Sequence, residues 1–300
     1  MLLQSGDTIA IVAPAGRVEK DALSPATRIL KKWGLKVITG DHVYDQTGYF
    51  AGTDTHRLQD FQKVLDDPEI KAILCARGGY GSSRVIDKLD FIRFQKNPKW
   101  IIGFSDITAV HGKVDNMGIA SIHGPMAIHF GKEEHENAIL KLHEVLFGGT
   151  VSFDFSSNPL NKYGSAAGML TGGNLTMITH GLGTPDELNT KGKILLIEDI
   201  GEDIYKIDRM LLQLRRAHKL DLIKGLLAGH FTDVKDTNPS FGMNVHEVIL
   251  SHFSNTSIPI IFDFPSGHEV NNYPVMLGEN CLVEATDERV FFSQGLKNEV

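Results

Sequence analysis

The chain is poor in cysteine and tryptophan, with two of each in 300 residues. Cys75 and Cys281 cannot make a disulfide framework, and Cys75 closes an apolar segment, where a free thiol packs as a small hydrophobe. A reducing, cytoplasmic compartment is therefore expected. No apolar run approaches the ~18–20 residues that a membrane-spanning helix needs. The first residues, MLLQSGDTIAIVAPAG, lack the charged start of a secretory signal and read instead as a strand entering a Pro-Gly loop. Basic runs are absent as well. With a formal net charge of −7, neither nucleic acid nor an anionic membrane surface is an expected partner, because nucleic-acid binding rests on Lys and Arg neutralising phosphates. Metal and nucleotide signatures are also missing. The chain has no H-E-x-x-H, no paired Cys spacing, no G-x-G-x-x-G and no Walker loop, and His123 with His129 is not a known ligand pair. No metal and no cofactor are expected.

What remains is ordinary globular composition, 42% hydrophobic and 22% charged, in a chain long enough for two domains of about 100–200 residues each. In the first half strand and helix signals alternate. Strands are expected at 7–12, 35–39, 70–75, 100–104 and 119–122, with helices at 22–33, 55–65, 82–89 and 107–116. Repeated strand–helix units with apolar strands imply an α/β fold with a parallel sheet covered on both faces. The second half is looser: a helix at 136–146, a short strand at 151–155, a polar stretch, a Gly172-Gly173-Asn174 turn, and a helix ending at His180. Strands at 193–197 and 222–227, helices at 205–217 and 244–253, and further short strands complete it. The expected division is a first domain over 1–150, a linker over 151–165 and a second domain over 166–300.

Open parallel sheets bind ligands beyond the carboxyl ends of their strands. Four loops lie there: Pro14-Ala15-Gly16, the RGGYG loop over 77–81, Phe104-Ser105-Asp106, and His123-Gly124-Pro125. The stretch KWIIGFSDIT, residues 99–108, puts a hydroxyl at a corner where strand passes to helix. Backbone N–H groups at the helix start would face a negative oxygen developing beside Ser105. Ser105 or Asp106 could equally be a helix cap, and Ile107 stands where the G-x-S-x-G elbow has its second glycine. The three glycines of 77–81 could aim N–H groups at an oxyanion or a carboxylate, or simply make a turn. Glu198 ends an apolar strand. Glu202 and Asp203 suit the following helix start better, which leaves Glu198 for another task. His268 lies in a loop, PSGH, after an apolar segment.

The motifs RGGYGSSR, GFSDIT, GGNL with GTP following, LLIEDIGEDIYKIDRML and PSGHEVNN together resemble the LD-carboxypeptidase family of serine peptidases, which includes the microcin-immunity peptidases. The resemblance spans nearly the whole chain. It implies a flavodoxin-like N-terminal domain and a smaller mixed α+β C-terminal domain, with the active site in the crevice between them. Carried over by motif, Ser105 would be the nucleophile, His268 the general base and Glu198 the acid that orients the imidazole. The oxyanion hole would use the N–H of Asp106 and one from Gly78 or Gly79. The implied substrate is a cytoplasmic murein peptide, cleaved between the L-centre of a diamino acid and a terminal D-alanine. Arg77 is the candidate for binding its carboxylate, with a structural ion pair as the other reading, and His123 and Asn174 are candidate substrate contacts. Ala15 departs from the Ser that many relatives carry there, a change expected at the pocket rim. A homodimer is expected. Two other readings are an immunity-type peptidase acting on aminoacyl-nucleotide analogues, with Tyr80 or aromatics of 41–50 stacking a base, and a non-catalytic small-ligand binding module.

Overall fold

Alternate residues of the first-half strands feed two separate cores, because strand side chains point to opposite faces in turn. In the computed structural model, which describes residues 1–295, Ile9, Leu74 and Ile102 face one core while Ala10, Ile73 and Ile101 face the other. Both faces are thus covered, as a parallel sheet requires. The strands run in the order Lys36–Thr39, Thr8–Val12, Ile70–Cys75, Trp100–Gly103, Ser121–His123, all parallel. This is the flavodoxin-like order, whose switch point lies between the first and third strands. There the loops after Thr8–Val12 and Ile70–Cys75 meet, the Gly16 N–H donating to the Gly78 carbonyl at 3.1 Å.

A sixth strand, Val275–Leu277, comes from far along the chain and pairs antiparallel with Ser121–His123. The second sheet has seven strands, in the order Ile260–Ile261, Gly225–Thr232, Ile194–Ile200, Gly164–Asn174, Asn280–Ala285, Arg289–Gln294, Val151–Ser156. Its first three pairings are parallel and its last three antiparallel. The short strand expected inside the linker is its outer edge. No helix among the described residues is long and apolar enough to cross a membrane.

Two local expectations change. The segment 82–89 is two 3-10 turns, Ser82–Arg84 and Ile86–Lys88, rather than one α-helix, because the N–H and hydroxyl groups at its start bond to Asp106. Gly172-Gly173-Asn174 is the end of the strand Gly164–Asn174, not a turn. Its glycines serve close approach: with φ of 130° and 133°, Cβ atoms there would collide with Leu196 backbone and with Thr108 Oγ1.

The helix Thr108–Asp115 joins the two sheets. Its Thr108 Oγ1 accepts from Asn174 N–H at 3.0 Å. At its other end the buried Asp115 Oδ2 accepts from Thr171 Oγ1 at 2.9 Å and from Lys193 Nζ at 2.8 Å. Removing one partner of a buried ion pair leaves the other charge uncompensated. Asp115→Ala is expected to lower unfolding free energy by about 3 kcal/mol, read as a lower urea midpoint. An unchanged midpoint would show that the joint carries no stability.

Candidate active site

Ser105 sits at the turn after Trp100–Gly103 with φ 63°. A left-handed conformation costs an L-residue about 1–2 kcal/mol, so the surroundings must hold it. Gly103 permits the tight packing beneath, since a Cβ there would lie 2.9 Å from Ile107 Cγ1 and 3.2 Å from Cys75 Cβ. Neither Ser105 nor Asp106 caps a helix through its side chain. The buried Asp106 carboxylate instead reaches back to the glycine loop, accepting from Gly81 N–H at 3.3 Å and Ser82 N–H at 2.8 Å, while Ser82 Oγ donates to the Asp106 carbonyl at 2.6 Å. From the other side the buried Arg57 donates to the carbonyls of Pro14 at 2.7 Å and Gly81 at 2.8 Å, and pairs with Asp54.

Clamped in this way, the loop brings Gly78 against the serine: a Cβ at Gly78 would be 3.2 Å from Ser105 Cβ. Gly79, with φ 100°, faces the Tyr49 hydroxyl instead. The N–H groups of Gly78 and Gly79 have no hydrogen-bond partner among the described residues.

The strand Ile194–Ile200 delivers Glu198, which is fully buried. A register shift between Ile197 and Asp199 interrupts its pairing with Gly225–Thr232. Gly229 and Gly267 make room for the carboxylate. The next residue, Asp199, is occupied elsewhere, accepting from Asn174 Nδ2 at 2.9 Å and from Thr176 N–H and Oγ1 at 2.9 and 2.8 Å.

His268 closes the arrangement. Its Nε2 lies 3.0 Å from Ser105 Oγ and its Nδ1 lies 2.7 Å from Glu198 Oε2. Burial pushes this imidazole down, but the hydrogen bond and charge of Glu198, with Asp199 behind it, outweigh burial and hold it above its ordinary value. A hydroxyl linked to an imidazole, itself linked to a buried carboxylate, can release its proton to Nε2 as the oxygen attacks an electrophilic carbon.

Residues 9–124 match the LD-carboxypeptidase N-terminal domain and residues 167–283 the LD-carboxypeptidase C-terminal domain. The chain belongs to the LD-carboxypeptidase family. It is 34% identical over 299 residues to the probable murein peptide carboxypeptidase of Bacillus subtilis, covering 98% of this chain and 94% of that protein. Among solved structures, the muramoyltetrapeptide carboxypeptidase of Oxalobacter formigenes superposes with a TM-score of 0.88 at 30% identity, over 96% of this chain and 98% of that one. The fold is also that of MccF, solved in complex with glutamyl sulfamoyl guanosine, with a TM-score of 0.87 at 20% identity over 99% and 98% of the two chains.

Of the expected substrate contacts, His123 and Asn174 are buried and Arg77 is exposed. His123 is completely buried beside Phe104, their rings 5.9 Å apart, and burial pushes it well below the usual histidine range. Its ring has no exposed surface in this structure. Asn174 caps the helix Leu175–His180 and holds Asp199, so both ends of its amide are committed. Ala15 is buried beneath Gly81 rather than at a rim. Arg77 is exposed and donates to the Arg17 carbonyl at 3.0 Å.

The sequence reading missed a cavity of about 300 Å³ beside His268, lined in part by Phe104, His129, Lys132, His135 and Glu269. It also missed the Asp106 carboxylate as the tether of the glycine loop. Asn272, whose Oδ1 accepts from Gly267 N–H at 3.0 Å, had a signal available, since it closes the PSGHEVNN motif.

Gly267 is the glycine that approaches Glu198 most closely. Its φ is 124°, and a Cβ would lie 3.0 Å from both Cβ and Oε2 of Glu198. Gly267→Ala is expected to cost about 1–3 kcal/mol of stability through strain. Because small misplacements of reacting groups are costly, turnover should fall by about 100-fold, measured as kcat beside a urea unfolding curve. Wild-type turnover in a destabilised variant would dissociate the glycine from the placement of Glu198.

Proposed function

We propose that this chain is a serine carboxypeptidase that hydrolyses the L,D-peptide bond of a murein tetrapeptide and releases its terminal D-alanine. The reading rests on one observation above all: the continuous contact from Ser105 Oγ through His268 to the buried Glu198. The names of the B. subtilis and O. formigenes relatives support the substrate class.

In this reading Ser105 Oγ attacks the carbonyl carbon of the L-centre while His268 Nε2 takes the hydroxyl proton. The oxyanion is met by the N–H of Asp106 and that of Gly78, which packs closer to Ser105 than Gly79 does. His268 passes its proton to the amine of D-alanine, which leaves, and an ester remains on Ser105. Water then gives a proton to His268 and attacks the ester, His268 returns that proton to the departing Ser105 Oγ, and the shortened peptide is freed. Glu198 holds the imidazole tautomer and stabilises its cation throughout. Cytoplasmic residence and a homodimer belong to the same proposal, the latter read by sedimentation velocity.

The test is incubation with two tetrapeptides that differ only in the configuration of the last residue, with free alanine measured by mass spectrometry. Release from the D-terminal peptide alone is expected, and release from neither overturns the substrate assignment. A second reading, action on an aminoacyl-nucleotide analogue, is favoured by the exposed Tyr49 and Tyr80 beside the glycine loop and by the fold shared with MccF. The same assay with such an analogue separates the two.

A further inference from the structure

A second group of convergent side chains lies outside the contacts of Ser105, on the loop that follows the strand Lys36–Thr39 and on the helix Asp54–Asp66. His42 Nδ1 and His56 Nδ1 both approach one oxygen, Asp45 Oδ2, at 2.9 and 2.8 Å. Their rings stack at 4.1 Å between centroids with 17° between planes. The ligand atoms of the three residues fall within 4.8 Å of one another, and this is the single such group among the described residues.

Each member is fixed from behind. His42 N–H donates to Asp60 Oδ2 at 2.8 Å, Asp45 N–H to the His42 carbonyl at 3.0 Å, and His56 N–H to the capping Thr53 Oγ1 at 3.2 Å. Gly52, with φ 79°, lets the loop close over them, since a Cβ there would be 3.0 Å from Asp45 Cβ and 3.2 Å from His56 Cβ. All three side chains are partly open to solvent, at 31%, 41% and 39% exposure for His42, Asp45 and His56. An ion could therefore enter and keep water in its remaining positions.

We propose that His42, Asp45 and His56 bind one divalent transition-metal ion of the zinc type. Two imidazole nitrogens and one carboxylate oxygen are the donors that such ions prefer, whereas Mg2+ and Ca2+ take oxygen sets. Tetrahedral bonds of about 2.0–2.2 Å separate ligand atoms by about 3.3–3.6 Å, so the 2.8–2.9 Å His–Asp contacts open by less than about 1 Å and all three ligand atoms already lie within 4.8 Å of one another. In binding, each ring proton moves to Nε2 and the two hydrogen bonds to Asp45 give way to metal bonds, with no proton lost from a neutral imidazole. The ion would tie the loop over 41–54 to the helix Asp54–Asp66. That loop carries Tyr49 against Gly79 and Phe50 against Tyr80, so a wall near the glycine loop would stiffen.

The proposal is independent of the hydrolytic reading and is tested by titrating chelator-stripped full-length protein with ZnCl2 in a calorimeter. One saturating equivalent is expected in the wild type. Affinity should weaken by at least about 10–100-fold in Asp45→Asn and in the His42→Ala/His56→Ala double variant, and be unchanged in His218→Ala, which alters a surface histidine elsewhere. Zn2+ should also slow amide exchange over 41–56 in the wild type but not in Asp45→Asn. Absence of a saturable equivalent, or equal affinity in Asp45→Asn, would overturn the assignment and leave a cluster held by hydrogen bonds alone.

Discussion

Ser105→Ala is expected to lower kcat for D-alanine release by about 10⁴-fold or more, equivalent to ~5.5 kcal/mol of barrier. In the proposed mechanism the variant loses the atom that forms the ester, while the N–H groups of Asp106 and Gly78 and the substrate contacts stay in place. A small residual rate is therefore expected from those donors acting on bound substrate. The lesion should be chemical rather than structural, because Ala and Ser face the same backbone penalty at φ 63° and Ser105 Oγ bonds only His268 among the described residues. The measurements are kcat, a urea curve close to wild type, and labelling by a serine-reactive phosphonate, which should mark Ser105 in the wild type and nothing in the variant. Turnover within tenfold of wild type would remove Ser105 from the chemistry. Absence of labelling in an active wild-type enzyme would argue for a different nucleophile.

Glu198→Gln is the second large effect, with kcat expected to fall by about 10³–10⁴-fold. A neutral amide cannot stabilise the imidazolium, and it can favour the wrong tautomer by donating to Nδ1. The pH profile separates this from simple misfolding. In the proposed mechanism the base is neutral His268, so kcat/KM is expected to fall as pH drops through its pKa. Glu198 holds that pKa above the ordinary value of 6.5, which places the acidic limb of the wild type above 6.5. In Glu198→Gln burial remains and the opposing charge is gone, so the limb moves to lower pH while the plateau drops. A plateau that falls with no movement of the limb would assign Glu198 a structural role only. The raised pKa also acts on stability. The contribution of the His268–Glu198 pair is fully present below the unfolded-state pKa of His268 and fades as pH rises through the folded-state value.

Much of this arrangement was legible in the chain because its signals are local. Apolar strands alternating with helices announced a doubly covered parallel sheet, and loops at strand ends marked where a ligand would sit. Ser105, Glu198 and His268 each stood in a recognisable motif at the end of an apolar segment. The errors have physical causes of the same kind. Gly172 and Gly173 looked like turn residues, yet they serve backbone-to-backbone and backbone-to-Thr108 contact inside the second sheet. Helical periodicity at 82–89 was outcompeted by tertiary hydrogen bonds to Asp106. His123 and Asn174 stand at strand ends as a binding residue would, but one is buried beside Phe104 and the other spends its amide on Asp199.

By itself the sequence determined most of the elements and the parallel, doubly covered first sheet, because these follow from neighbours a few residues away; the flavodoxin-like order and the three candidate side chains came from motifs shared with the family. Only the tertiary structure decided that the three meet, across separations of 163 and 70 residues. It also decided that Val275–Leu277 crosses back to complete the first sheet, and that His42 and His56 converge on Asp45. Loop closure over such distances carries little local signal. It is paid for by burial along helix Thr108–Asp115 and the sheet edges, which no short window of residues contains.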